Sequence, residues 1–493
     1  MKRVLSHPLV AIAFGLGLRL FFILKFPATA GDSALYEELA SNWFKHAAYV
    51  VSVNGHLTAV DVRMPGYSAF LALLYAVTGR EGEAARLPVM LVQAAIDLLC
   101  CVVTAAIAAR LARTATVQVQ ASSKRTFIVA LWLAALCPFT ADYTAVLLTE
   151  SFTTCLTAIS IYLFICLAES SSELFWPTDR LKASWDKSPE YWAALFGLAI
   201  GVTTLFRPES PLLLIVAFLA IARSFVSRGY FLRWLKLIAI SAFLCATTLS
   251  PWIIRNAVTL HRFQPLAPKD AMLPNERPPV GFMAWEKTWL YRLSDCYAVT
   301  WKLNEENINL EDIPGRAFDS ESEKKHVATL LDRHNENNSL SEKTDAEFAG
   351  IGRRRTARHP VRTYLVVPLQ RVLTIWFTPR IELLPFTGKI FPIADEWDTD
   401  RPDLVVSLSL FFLNICFLLA ALCGFIKLWK WSPRARLALA AIAAYILIRT
   451  AFLTTVEAPE PRYVLVCFPA ILALAAIAFL KRPVAANASR PSA

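Results

Sequence analysis

Two residues bracket the first polar stretch of the chain and set out its chemistry. Asp32 stands in Gly31-Asp32-Ser33, a few residues after an apolar run of membrane-spanning length, and Arg63 stands in Asp61-Val62-Arg63-Met64-Pro65-Gly66-Tyr67, where the chain turns back into apolar sequence. A carboxylate beside apolar surface is expected to have its pKa pushed up, which suits it to take a proton from a hydroxyl or an amine. An arginine whose loop is fixed by Pro65 and Gly66 suits a two-pronged grip on phosphate. Together they describe a transfer reaction on a phosphate-linked lipid. Each residue has a plainer reading as well. Asp32 precedes Ala34-Leu35-Tyr36-Glu37 and reads as a helix N-cap, a role that can coexist with catalysis. Arg63 reads equally as an interfacial arginine reaching for head groups.

Other charges fall at the ends of apolar runs, where they are costly unless paired or functional. Asp61, Glu150, Glu209 and Glu460 form a reserve of secondary acids, and Arg255 and Arg462 are further candidates for a phosphate. Arg255 lies in Pro251-Trp252-Ile-Ile-Arg255-Asn256 and Arg462 in Glu460-Pro-Arg462-Tyr463; ion pairing with Glu150 or Glu209 is the competing role for both. The 7 histidines are scattered without HExxH or paired spacing, so no metal site is read and no cofactor is expected. No phosphate-binding glycine loop of a nucleotide enzyme and no GxSxG occurs in a suitable context. The 10 cysteines sit in apolar runs except Cys296, and imply neither a disulfide framework nor a zinc pattern.

The elements that must position these residues are membrane helices. The chain has 493 residues, 56% hydrophobic and 18% charged, with mean hydropathy +0.45; soluble chains average about 45–50% apolar and about 25% charged. The net charge of +11 resides in short loops between apolar runs. That is the positive-inside pattern and not a nucleic-acid stripe, so no nucleic-acid partner is expected. About ten segments approach the ~20 residues a span needs: 8–26, 84–111, 127–139, 146–168, 191–206, 211–226, 234–254, 404–428, 437–454 and 463–480. Lys2 and Arg3 place the N-terminus in the cytoplasm. Arg110, Arg113, Lys124 and Arg125, then Arg180, Lys182 and Lys187, then Arg223, Arg228, Arg233 and Lys236, and finally Lys427, Lys430, Arg434 and Arg436 fall on the same side. Both termini are then cytoplasmic, and every candidate acid and arginine lies outside.

The loop from 27 to 66 carries a short interfacial helix with Ala34, Leu35, Leu39, Trp43 and Phe44 on one face and Glu37, Glu38 and Lys45 on the other. Residues 66–79 are apolar but too short to span comfortably. The chain divides into a transmembrane module over 1–256, an extracytoplasmic polar module over 257–403 of roughly 145 residues, C-terminal transmembrane helices over 404–482 and a disordered tail over 483–493. The end of the polar module, 358–379, is amphipathic and is expected to lie on the membrane. No repeat of 20–50 residues is visible.

In that order and placement, the fragments resemble the GT-C membrane glycosyltransferases, in the branch of the protein O-mannosyltransferases and the lipid A aminoarabinose transferase. They are Asp32 with Tyr36 to Ala40, Arg63 to Tyr67, Pro138 with Leu148-Thr-Glu150, Phe206-Arg-Pro-Glu209, Pro251 to Asn256 and Glu460-x-Arg-Tyr463. The resemblance covers most of the chain. It implies a mainly α, GT-C-like polytopic fold and an extracytoplasmic active site in a bacterial inner membrane. It also implies a polyprenyl-phosphate sugar donor and an inverting displacement with Asp32 as base. The acceptor would be a glycolipid, a polysaccharide or a protein. Where the family often has Asp-Glu, this chain has Asp32-Ser33, which leaves a second acid to Asp61, Glu150 or Glu209. Metal dependence varies across the fold. Two other classes compete. A secondary transporter fits the span count, but would place its polar groups at the bilayer midplane in repeated halves. An O-antigen ligase or polymerase would carry its key loop late in the chain.

Overall fold

A computed structural model describes residues 7–114, 119–173, 188–268, 272–274 and 276–481. The readings made for Lys2, Arg3, Arg180, Lys182, Lys187 and the 483–493 tail lie outside these residues. The chain is mainly helical. Among the described residues, seven helices are long and apolar enough to cross a membrane, and a bent pair makes up to eight. They are α1 (Pro8–Lys25), α4 (Glu83–Arg113), α7 (Glu150–Glu173, of which Glu150–Ser171 qualifies), α10 (Phe231–Thr259), α17 (Arg401–Trp431), α18 (Arg436–Leu453) and α19 (Phe468–Ala478 with the 3-10 turn Pro461–Cys467 before it).

The bent pair is α5 (Val119–Ala135) followed by α6 (Pro138–Ala141) and a 3-10 turn, Asp142–Ala145, with 57° between the two parts. Of the ten spans read from sequence, the remaining two are the 16-residue helices α8 (Pro189–Thr204) and α9 (Pro211–Val226). At 1.5 Å per residue each reaches about 24 Å, short of the ~30 Å hydrocarbon core. One hydrophobic core joins all of these helices.

Between α1 and α4 the chain makes α2 (Gly31–His46), a hairpin of β1 (Val50–Val53) and β2 (His56–Ala59), and α3 (Pro65–Thr78). The hairpin is antiparallel with Val53 opposite His56. Its two-residue turn is Asn54-Gly55, both with positive φ (50° and 80°), the sequence such a turn favours. Helix α2 buries Ser33, Tyr36, Leu39 and Ala40. Tyr36 replaces Ala34 on the inner face, while Glu37 pairs with Arg86 at 2.9 Å and Glu38 accepts from the Ser52 amide. Pro65 supplies the pre-set first turn of α3. Gly66 lets that turn touch the end of α8: its amide donates to the Leu205 carbonyl at 2.7 Å, and a Cβ there would lie 2.7 Å from the same oxygen.

Residues 280–358 build a second, separate core from α11 (Val280–Glu286), α12 (Leu293–Ala298), α13 (Glu321–Asn335) and α14 (Glu342–Arg358). Phe282, Trp285, Trp289, Phe348 and Ile351 fill it. Ser320 and Ser341 cap α13 and α14 through their side chains. The second core meets the first through the turn before α19. Ala458 packs against it, Lys287 pairs with Glu457 at 2.5 Å, and Arg371 donates to the carbonyls of Leu290, Thr454 and Val456. Arg371 belongs to α15 (Val367–Trp376). A π-turn, Arg362–Val366, precedes α15, and this stretch exposes Val361, Tyr364, Leu365, Val366, Leu369, Leu373 and Phe377. These residues fall within 358–379, the stretch read from sequence as amphipathic. A short helix, α16 (Ile393–Thr399), leads into α17.

Candidate functional site

The site forms where one end of the helix bundle gathers its loops. Asp32 sits in the first turn of α2, where the unpaired amides and the helix dipole favour a negative charge. It is not the N-cap. That position is Ala30, whose amide donates to Ser33 Oγ, and Ser33 Oγ in turn donates to the Leu147 carbonyl at 3.0 Å. The capping expectation is corrected accordingly, and the Asp32 carboxylate is left to face Arg63 and Arg462. Arg63 Nη2 donates to Asp32 Oδ1 at 2.7 Å. Arg462 Nη2 donates to Asp32 Oδ2 at 3.3 Å. The expectation of a raised pKa is also corrected. Burial pushes the Asp32 carboxyl up, but Arg63 and Arg462 outweigh it and hold the group below the usual carboxylate range.

Behind this pair the network continues inward. Arg462 forms an ion pair with Glu460 at 2.5 Å and lies 3.9 Å from Glu150. Glu150, at the start of α7, pairs with Arg207, and Arg207 Nε donates to Thr149 Oγ1 at 3.0 Å. Arg449, near the end of α18, donates to Glu209 at 3.0 Å and to the Tyr463 carbonyl. The Tyr463 hydroxyl donates to Glu460 at 2.5 Å, and its ring lies 5.4 Å from the guanidinium groups of both Arg207 and Arg462. Four carboxylates, Asp32, Glu150, Glu209 and Glu460, are thus matched by four arginines, Arg63, Arg207, Arg449 and Arg462.

Access separates the members. Asp32 and Arg63 keep 28% and 34% of their side-chain surface, whereas Glu150 keeps 3%. The open mouth is therefore Asp32 with Arg63, flanked by Arg462 and Arg207, which keep 14% and 20% of theirs, and the rest is a supporting network. Glu150 Oε2 is buried with no hydrogen-bond partner among the described residues. Glu382, in the loop after α15 and near Glu460 and Arg462, also has a buried oxygen without one. Burial pushes the Glu382 carboxyl up against the pull of Arg380.

Two sequence candidates do not join this network. Arg255 directs Nη1 to the Val60 carbonyl and Nη2 to the Tyr49 carbonyl, at 2.7 and 2.5 Å, with its guanidinium over the Tyr49 and Trp252 rings. Asp61 is held through both oxygens by Arg262 at 2.7 Å. They tie the loop carrying Arg63 to the end of α10. Tyr49 completes that anchorage by donating its hydroxyl to the Arg63 carbonyl at 3.0 Å.

The bent pair positions the other side. Gln93, on α4, donates to the carbonyls of Thr144 and Val146, and the Ala28 amide donates to the Ala145 carbonyl. At the break itself, buried Arg19 donates to the Ala135 carbonyl at 2.6 Å and to Asp97 Oδ2 at 2.9 and 2.5 Å. Pro138 stops the helix, so the Ala135 carbonyl, one of its last, needs this partner inside an apolar region. Sequence reasoning missed Arg19, Asp97, Arg449 and Glu382 as part of this framework. The signal for the first three was a charge within an apolar run; Glu382 carried no such signal. Among the described residues no group of three or more His, Cys, Asp or Glu is arranged to hold a metal ion.

No protein-family model matches the chain, and no curated protein does. Solved structures resemble it loosely. The archaeal oligosaccharyltransferase AglB from Archaeoglobus fulgidus, in complex with an inhibitory peptide and a dolichol-phosphate, aligns over 97% of this chain at 13% identity and a TM-score of 0.38. ArnT from Cupriavidus metallidurans, bound to undecaprenyl phosphate, aligns over 95% at 14% identity and a TM-score of 0.40. The chain spans 56% of the length of that AglB chain and 77% of that ArnT chain. Superpositions this loose carry no argument about function, which rests on the residues of the site.

Proposed function

We propose that the chain is an integral-membrane glycosyltransferase that moves a sugar from a polyprenyl-phosphate donor to an acceptor on the extracytoplasmic face. The observation that carries the reading is the shared carboxylate at the mouth: Asp32 lies within hydrogen-bond reach of both Arg63 and Arg462, where apolar helices end. A phosphate-linked lipid brings its charge to that level of a membrane and its tail to the helices beside it. The resemblance of the early Asp and the Glu-x-Arg-Tyr turn to GT-C enzymes supports the same reading.

In the reaction, Asp32 takes the proton of an acceptor hydroxyl or amine. The acceptor atom forms its bond to the anomeric carbon from the face opposite the phosphate. The bond from that carbon to the phosphate oxygen breaks, and its electron pair leaves on the polyprenyl phosphate. Charge grows on the leaving phosphate as the bond breaks, so arginines already in place stabilise the transition state more than the ground state. Glu150, Glu209 and Glu460 hold those arginines in position. A glycolipid, a polysaccharide or a protein can each present such an acceptor group. Purified protein given a panel of polyprenyl-phosphate sugars with acceptors of these three kinds is expected to consume one donor. Consumption of none, or equal consumption by the Asp32→Asn variant, overturns the reading.

A further inference from the structure

We infer that the site holds its general base on the arginines that are to bind the donor phosphate, so that donor binding itself releases Asp32 for catalysis and the donor must bind before the acceptor is deprotonated. This rests on the function proposed above and concerns its order and control. The geometry is direct. Both oxygens of Asp32 are engaged, Oδ1 by Arg63 at 2.7 Å and Oδ2 by Arg462 at 3.3 Å. These are the two guanidinium groups that Asp32 itself engages at the mouth. Arg207, with 20% of its side-chain surface open, is held by Glu150, and Arg449 lies deeper on Glu209. A phosphate entering the mouth meets no unclaimed guanidinium there and must displace a carboxylate. Arg462 also holds Glu460 through Nε at 2.5 Å and through Nη2, the nitrogen it turns to Asp32, at 3.0 Å; the Asp32 contact is the longer at 3.3 Å, so Asp32 is the group that yields.

The environment of Asp32 determines what happens next. From its own helix it is faced by Tyr36, whose phenol burial pushes up to about 12 and so stays neutral. The loop before α3 contributes Arg63, the turn after α8 contributes Arg207, and the turn before α19 contributes Arg462. Glu150 and Glu460 stand behind Arg462. Burial favours the neutral carboxyl, and the arginines outweigh that preference. When phosphate draws Arg63 and Arg462 to itself, burial remains and the opposing charge is neutralised. The carboxyl then rises toward the range of an effective base. The sugar donor is a phosphodiester with a single negative charge, and the product lipid phosphate is a monoester that reaches two. Product therefore holds the arginines more firmly than donor until it leaves, and Asp32, now carrying the acceptor proton, does not compete for them. Loss of that proton restores the Asp32 pairs and helps expel the lipid phosphate.

The test is direct binding of a farnesyl methyl phosphodiester, which cannot transfer a sugar and does not titrate between pH 5 and 7. Because Asp32 competes with the probe, Asp32→Asn is expected to bind it about tenfold more tightly at pH 7, while losing turnover. The wild-type protein supplies a second readout free of any folding defect: its affinity is expected to rise as pH falls from 7 to 5, with proton uptake, and the rise is expected to be absent in Asp32→Asn. Equal affinity of the two proteins with no pH dependence overturns the inference and leaves the proposed function standing. No binding to either protein at any pH removes both.

Discussion

At the scale of single residues, Asp32 is held by charge and not by helix capping, and its substitutions separate the two. Asp32→Asn keeps the shape but cannot accept a proton, and loss of a general base costs about 10²–10⁴-fold in rate. Thermal stability is expected to change little, because the side chain is partly exposed and exposed ion pairs contribute about 0–1 kcal/mol. Asp32→Glu moves the carboxylate by one methylene in a positioned site and is expected to retain little activity. Turnover of the folded Asn variant within a few-fold of wild type sinks the assignment, and Glu150 is then the next acid to change. Arg63→Lys and Arg462→Lys each remove one two-pronged contact; a loss of about 1.5–3 kcal/mol in donor binding is expected. Wild-type donor affinity in both places the phosphate elsewhere. The mouth was readable because Asp32, Arg63 and Arg462 each stand at the end of an apolar run. The sign of the Asp32 shift was not readable, because it depends on two arginines 31 and 430 residues away. Nor was the capping role refused by sequence alone: Asp and Ser are both good caps, and only the helix start at Gly31 moved Asp32 into the first turn.

At the scale of elements, the bend between α5 and α6 sets where Glu150 begins its helix, and Arg19 with Asp97 holds that bend. Arg19→Met leaves a lone buried carboxylate and an unpaired Ala135 carbonyl, and is expected to destabilise by about 3–5 kcal/mol in thermal unfolding. Adding Asp97→Leu removes the lone charge and should return part of that loss, but not the part due to the carbonyl. Equal stability of the single and double variants contradicts the pairing. The second core offers a pH test. Glu286 is buried, accepts from Thr300 at 2.6 Å, and is pushed up by burial to about 8. Its carboxyl is neutral in the fold but ionises near 4.3 when unfolded. The unfolded state therefore loses its proton first as pH rises, and stability contributed by the neutral group falls between about pH 4.3 and 8. Glu286→Gln should melt close to wild type at pH 5 and above it at pH 8; a constant difference across that range refutes the shift.

The elements differ in how plainly the sequence announced them. The spans show as apolar runs, and Asn54-Gly55 between Val50-Val51-Ser52-Val53 and His56-Leu57-Thr58-Ala59 is a hairpin signal that the sequence carries. The break at Pro138 showed only as a proline; that the chain continues past it to Ala145 and is braced by Arg19 depends on packing across three helices.

At the scale of the molecule, the acids and arginines of the site close into a balanced network at one end of the bundle, and the opposite end carries a different set of charges. There Arg110 pairs with Glu169, and Glu190 faces Arg233 and Lys236. This separation into two charged ends with apolar helices between them makes a topology test decisive. The second core is joined to the site end, through Lys287 with Glu457 and Arg371 with the turn before α19, so both must share one side of the membrane. The basic loops at the other end favour the cytoplasm. A single cysteine at exposed Lys325 on α13 is therefore expected to react with a membrane-impermeant maleimide in intact cells, and one at exposed Arg434 only after permeabilisation. The native Cys296 is buried in the same core, and Cys416 and Cys423, exposed on α17, are replaced by Ala before labelling. Reversal of the two results places the Asp32 mouth in the cytoplasm. It then faces soluble nucleotide-linked sugars as well as lipid-linked ones, and an extracytoplasmic transferase is ruled out.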